Sequence, residues 1–215
     1  MSDKKNSKDH GIGKYHDLDL KADVSEQLND VYSNWADSYD DDNDNKLKTV
    51  SQPNTVAMLM RHCTSKNIHI FDVGCGTGIV GQHLKANGFT RFDGTDPSQE
   101  MMEHAQKRGY ANLLKLVPGE PLPAKDNAYH ASLCVGVFTH GHLGPEGFPE
   151  LIRVTKADGL ICFTVNEGVW ESGGFEAAIE RYTKAGEWQV LEMTKQDYMV
   201  NEGVQAWYVA VKVLG

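Results

Sequence analysis

The sequence predicts a doubly wound α/β fold: one mostly parallel sheet of seven strands with helices on both faces. Three observations carry this expectation. From Asn67 onward, strand-like apolar runs alternate with amphipathic helical stretches. Residues 130–138, "HASLCVGVF", are almost wholly apolar, as suits a strand covered on both faces of a parallel sheet. Finally, "IHIFDV" runs directly into Gly74, Gly76 and Gly78, a strand-to-helix turn built on glycine.

Taken in order, residues 1 to about 23 are polar, include Gly11 and Gly13, and read as a disordered tail. Residues 24–215 read as a single domain, an ordinary size for one core. Val24, Leu28, Val31, Tyr32, Trp35, Ala36 and Tyr39 recur at helical spacing, so a helix is expected over 24–39. A second helix is expected from Ser51, with Pro53 in its first turn and Val56, Leu59, Met60 and Cys63 as its apolar stripe. Together they form an N-terminal helical part, 24–66, that serves as a lid. The core, 67–166, begins with a strand over 68–73 and a helix closing at Gly88. A strand over 91–96 follows, then a helix from the N-cap Ser98 to Gly109 and a strand over 113–117. After a Pro- and Gly-rich loop come the 130–138 strand, a helix over 145–159 and a strand over 160–165. The last part, 167–215, holds a helix over 173–186 and strands over 188–193 and 205–213.

Composition narrows the function. The N-terminus has no apolar core of a signal peptide, and no apolar run is long enough to span a bilayer. Cys63, Cys75, Cys134 and Cys162 form no CxxC pair and sit in apolar segments, which suits buried, reduced thiols in the cytosol or nucleus. The net charge of -9 is concentrated between Asp17 and Asn45, where ten acids face one base, Lys21. This cluster reads as a solvated face; "DDDNDN" lacks the Gly and closing Glu of a calcium loop. The remaining chain is neutral and has no basic excess to hold a phosphate backbone, so nucleic acid is disfavoured. No metal site is expected.

The glycine loop decides the ligand class. Gly76, Gly78 and Gly81 satisfy the GxGxxG spacing of nicotinamide sites. A pyrophosphate beside Asp72 would meet like-charge repulsion, however. S-adenosylmethionine carries an ammonium and a sulfonium and no phosphate, and it would welcome that carboxylate.

At these residues the chain resembles the class I S-adenosylmethionine-dependent methyltransferases. "DVGCGTG" is similar to their first motif, "GTDPSQEMMEHA" to the next, and "PGEPLPAKDNAYHASLCVGVFTH" to the third and fourth. With the upstream "VYSNWADSYD", the likeness is greatest to the methyltransferase-like type known from the Williams–Beuren region. The resemblance implies a Rossmann-like core and S-adenosylmethionine as cofactor, with S-adenosylhomocysteine as its product. It places Asp72, Gly74, Cys75, Gly76 and Gly78 at the cofactor. Asp96 is implied as acceptor for both ribose hydroxyls, with Pro97 following and Met101 or Met102 on the adenine face. Val135 lies at the fourth strand. Pro118 departs from the acid that many members aim at the adenine amino group, which leaves that task to Gly119 and Glu120. His130 departs from the usual Asp.

The acceptor is less legible. His140 and His142, after the fourth strand, are candidate general bases. No Asn-Pro-Pro-Tyr run and no Pro-Cys nucleophile is present. A small molecule or a protein side chain remains as acceptor. Tyr32, Trp35 and Tyr39 offer aromatic cover for the methionine end of the cofactor. A non-catalytic cofactor-binding module and a nicotinamide oxidoreductase are the alternatives.

Overall fold

The computed structural model describes residues 24–215, with side chains from Tyr32 onward. The tail expected to be disordered, 1–23, lies outside the described residues. The chain opens with α1 (Val24–Asp41), which passes into a π-helical segment, Asp42–Leu47. Trp35 donates its indole N–H to Asp42 across this junction, at 2.6 Å. Then follow α2 (Ser51–His62), β1 (Ile70–Val73), α3 (Ile79–Ala86), β2 (Phe92–Asp96), α4 (Gln99–Ala105) and β3 (Leu113–Lys115). The second half holds β4 (Tyr129–Phe138), α5 (Phe148–Val154), β5 (Thr155–Asn166), α6 (Glu167–Trp170), α7 (Phe175–Lys184), β6 (Trp188–Met199) and β7 (Val204–Val213).

The seven strands form one sheet in the order β3-β2-β1-β4-β5-β7-β6. All neighbours run parallel except β7, which is antiparallel to both β5 and β6. The period of two puts alternate side chains on opposite faces. Along β4, Cys134 and Phe138 join one core, and Ala131, Leu133 and Val135 join the other. The first core is aromatic and packs Phe71, Phe148, Phe163 and Trp188 beneath α5 and α7. The second packs Ile70 and Leu133 under Leu59 of α2 and Leu84 of α3. Burial on both faces explains why β4 reads as an unbroken apolar run.

Two elements differ from expectation. The helix expected over 145–159 ends at Val154, and β5 begins at Thr155. Thr155 Oγ1 lies 2.7 Å from both Leu151 O and Ser132 Oγ, which draws it into register with Tyr129. Asp158, at φ 61°, then makes the bulge before Leu160 pairs with Ala131. A charged "TKAD" run fits a helix by composition, yet tertiary pairing overrides it. The strand expected over 188–193 continues to Met199, because β7 supplies partners along that length. Cys63 is half-buried, while Cys75, Cys134 and Cys162 are buried and all four are free. Among the described residues no helix is long and apolar enough to cross a membrane.

The sheet order diverges between β1 and β4, since β1 continues to β2 on one side and β4 to β5 on the other. Ligand crevices of open α/β sheets lie at the carboxyl ends of the strands flanking such a point.

Candidate active site

The turn after β1 is held by two backbone bonds, Gly74 N–H and Cys75 N–H to Thr95 O, at 2.8 and 3.0 Å. Its three glycines all take positive φ, at 73°, 53° and 90°. Their surroundings differ. A Cβ on Gly74 would sit 2.3 Å from Val137 Cγ2, and one on Gly78 would meet Tyr110 and Ala105 at 2.9–3.0 Å. A Cβ on Gly76 would meet nothing within 4 Å. Gly74 and Gly78 therefore serve close packing, while Gly76 leaves its backbone bare to open space.

That space is a cavity of about 620 Å³ at the ends of β1, β2 and β4. It falls in the middle of the range for small-molecule sites, about 300–1,000 Å³. Of the residues expected at the cofactor, Tyr32, Tyr39, Gly74, Gly76, Asp96, Pro97, Met101, Gly119, Glu120 and Val135 line it. Met102 is core, which separates it from Met101. Trp35, Asp72, Cys75 and Gly78 do not line the cavity. Trp35 is buried with its indole N–H committed to Asp42. Cys75 is buried against Gly94, and burial pushes its thiol up, with Asp72 and Asp96 adding to the rise.

Asp96 closes β2 and is 8% exposed. Its Oδ2 accepts from Gly76 N–H at 2.8 Å and its Oδ1 from Ser98 N–H at 2.9 Å. Burial raises its pKa to about 6 against the pull of these bonds. Each oxygen keeps a lone pair for a further donor, which fits the two hydroxyls of a ribose.

Asp72 is fully buried. Its Oδ2 accepts from the Tyr110 hydroxyl at 2.5 Å, and that hydroxyl accepts from Gly81 N–H at 3.0 Å. Oδ1 has no hydrogen-bond partner among the described residues. Burial is the main reason its pKa stands at about 7; the Tyr110 bond lowers it and Asp96 raises it. Asp72 is thus buried behind the cavity wall and held by Tyr110. Sequence reasoning missed Tyr110, which carries no motif.

The acidic stretch read as a solvated face is in part structural. Asp40 accepts from Thr77 Oγ1 at 2.6 Å and pairs with Arg108. Ser33 donates to Glu100 at 2.7 Å, Asp42 is buried and pairs with Lys46 at 2.6 Å, and Asp37 lies 3.4 Å from His104. These ties run α1 across α4 and the glycine turn, placing Tyr32 and Tyr39 on the cavity.

The two candidate histidines separate. His140 is exposed, lies beside Gly168 and does not line the cavity. His142 lines it. Its Nδ1 is 2.9 Å from the carbonyl of His140 and its Nε2 is 3.1 Å from the Tyr32 hydroxyl. A carbonyl can only accept, so Nδ1 carries the proton and Nε2 presents a lone pair. Burial lowers the pKa of His142 and keeps this neutral form dominant.

The lining fits S-adenosylmethionine: a Gly76 backbone with open space where a Cβ would stand, a ribose-type carboxylate, Met101, and no Lys or Arg to seek a phosphate. Gly81, the third glycine of a dinucleotide reading, faces Tyr110 instead of the cavity. When bound, the cofactor supplies a methyl group made electrophilic by sulfonium. Among the described residues no cluster could hold a metal ion.

Comparison with known proteins agrees. A family model described as "Methyltransferase domain" matches residues 71–163. Methyltransferase-like protein 27 of Homo sapiens is 33% identical over 177 residues, spanning 79% of this chain and 71% of that protein. Malonyl-[acyl-carrier protein] O-methyltransferase of Erwinia pyrifoliae is 30% identical over 135 residues, spanning 58% and 50%. Among solved structures, a Thermotoga maritima protein described as a SAM-dependent methyltransferase superposes with TM-score 0.59 at 20% identity, covering 86% of this chain and 98% of that one. Magnesium protoporphyrin IX methyltransferase from Synechocystis, with bound S-adenosylhomocysteine, superposes with TM-score 0.57 at 16% identity, covering 75% and 81%. With the strand order, the glycine turn and a relative aligned over most of its length, the chain belongs to the class I S-adenosylmethionine-dependent methyltransferases.

Proposed function

We propose that the protein transfers the methyl group of S-adenosylmethionine to a small organic molecule, and that His142 takes up the acceptor's proton. The observation that carries this is the Tyr32–His142 pair. It sets a neutral imidazole at the cavity with its Nε2 lone pair held by the Tyr32 hydroxyl of α1, which turns aside when Nε2 takes a proton. Tyr32 and Tyr39 of α1 line the same cavity as Gly74, Gly76 and Asp96, which supports reading α1 as its cover. A covered cavity suits a molecule that enters whole better than a side chain on a folded protein. Alignment of the acceptor supplies a large part of the rate, and a positioned base adds about a hundred- to ten-thousandfold.

The test is to incubate the full chain with methyl-labelled S-adenosylmethionine and a cell extract, then separate protein from small molecules. Label is expected in the small-molecule fraction. His142→Ala should lose most of the turnover while keeping its affinity for S-adenosylhomocysteine. Label confined to protein, or unchanged turnover in His142→Ala, would overturn the reading.

A further inference from the structure

The charge of the cavity wall selects the acceptor. Four lining residues are acids, Asp96, Glu120, Glu146 and Glu150, and none is Lys or Arg. Their roles divide by their partners. Asp96 is held by two backbone donors at the expected ribose position. Glu150 is neutralised: its carboxylate takes two bonds from Arg153 and one from Leu122 N–H, all at 2.7 Å. Glu120 lies on the loop expected to meet the adenine. Glu146 remains, an exposed acid in the segment that follows His142. Its Oε1 accepts from Gly144 N–H at 2.8 Å, and it forms no salt bridge among the described residues. Elsewhere the lining is largely apolar and includes Leu116, Val117, Leu143 and Leu151. Lys115, at the end of β3, donates to the Pro97 carbonyl and is not in the lining.

A carboxylate or phosphate entering such a site would lose its hydration, meet like charge and find no cation. An ammonium on an apolar body would meet the reverse. Building on the small-molecule reading above, we infer that the acceptor is an apolar-bodied amine, recognised through Glu146 and methylated on nitrogen. The acid attracts the ammonium from water, but the attacking nitrogen must be the free base. The ammonium therefore first gives one proton to Nε2 of His142, as the Tyr32 hydroxyl that now donates to Nε2 turns aside. The freed lone pair forms the new C–N bond as the methyl–sulfur bond breaks, with that pair staying on sulfur. The positive charge passes from sulfur to nitrogen, and the product leaves as the methylated ammonium.

The experiment compares two molecules of like shape, phenethylamine and phenylacetate, binding by calorimetry to the full chain saturated with S-adenosylhomocysteine. Phenethylamine should bind at least tenfold more tightly, and raised salt should narrow the gap. Glu146→Gln should weaken phenethylamine at least fivefold and leave S-adenosylhomocysteine affinity as it was. Equal or tighter binding of phenylacetate, binding of neither, or no effect of Glu146→Gln would overturn the inference. Cation-exchange chromatography of the labelled extract separates this failure from that of the reading beneath it. A labelled small molecule that is not retained as a cation overturns the amine and leaves the small-molecule reading standing; label in protein alone overturns both.

Discussion

Replacing Asp72 with Asn should make the ligand-free protein more stable at alkaline pH and remove a distinct part of its pH dependence. Asp72 has no exposure and one of its oxygens has no hydrogen-bond partner among the described residues. Its pKa stands at about 7 against an ordinary 3.8, chiefly through burial. Such a carboxyl binds protons more tightly in the folded chain than in the unfolded one. Its contribution to stability is therefore fullest below about pH 4 and is lost as pH rises through about 7. At 1.36 kcal/mol per pH unit, the loss between pH 5 and pH 8 is about 3 kcal/mol. Asn keeps an acceptor for the Tyr110 hydroxyl and does not titrate. The stability of Asp72→Asn relative to the parent should thus rise by about 3 kcal/mol across that window. Asp96 is raised in the same direction, but it is present in both proteins and cancels in the difference to first order. Urea unfolding of both proteins at pH 5, 6, 7 and 8 reads this directly. Parallel stability profiles would show that the ionised carboxylate costs the fold nothing, and the account of Asp72 as a desolvated charge would fail.

Three further expectations concern the cofactor. Asp96→Ala should weaken S-adenosylhomocysteine by about 2 kcal/mol, roughly thirtyfold; in the parent, affinity measured by calorimetry should fall as pH drops below about 6, where Asp96 gains a proton and loses acceptor capacity. Gly76→Ala should fold with a backbone cost of about 1–2 kcal/mol, since nothing meets its Cβ, yet bind cofactor poorly; Gly74→Ala should lower the melting temperature more, because its Cβ would collide with Val137. Asp40→Asn removes the charge that Arg108 pairs with, so amide exchange over α1 should quicken and S-adenosylhomocysteine should bind severalfold more weakly; exchange unchanged from the parent would detach α1 from the site.

What the sequence made legible were the features set by neighbours in the chain. The apolar run of β4, the N-cap at Ser98 and the turn glycines at 74, 76, 78, 88 and 109 are local, and all are present. What it hid were features made by distant segments meeting. Asp72 and Tyr110 are joined only because β1 and β2 pair and the loop before β3 folds back across them. Thr155 looks helical until Ser132 and Tyr129 are beside it. His140 and His142 were equal in sequence; the turn of a loop puts one on solvent and the other against Tyr32.

The loop at Pro118 shows how a missing side chain can be offset. The acid that the family resemblance leads one to expect is absent there, which leaves the reading of adenine to the loop backbone near Gly119 and Glu120 or to the Glu120 side chain as a proposal. Backbone groups read a ligand only when they are held still. Here α5 does the holding. Arg153 donates to the carbonyls of Leu122 and Ala124 and to Asp126, at 3.0, 2.8 and 2.7 Å, while Glu150 takes Leu122 N–H. A guanidinium suits this task because its several donors lie in one rigid plane. Glu120 N–H closes a turn onto Val117 O at 3.1 Å, and Gly119 takes φ 83° within it. The loop is thus clamped at one end and turned at the other, with Gly119 and Glu120 on the cavity between. We propose that the braced main chain, or the Glu120 side chain it positions, does the work of that acid; the brace lies in α5, at Arg153, 31 residues beyond Leu122.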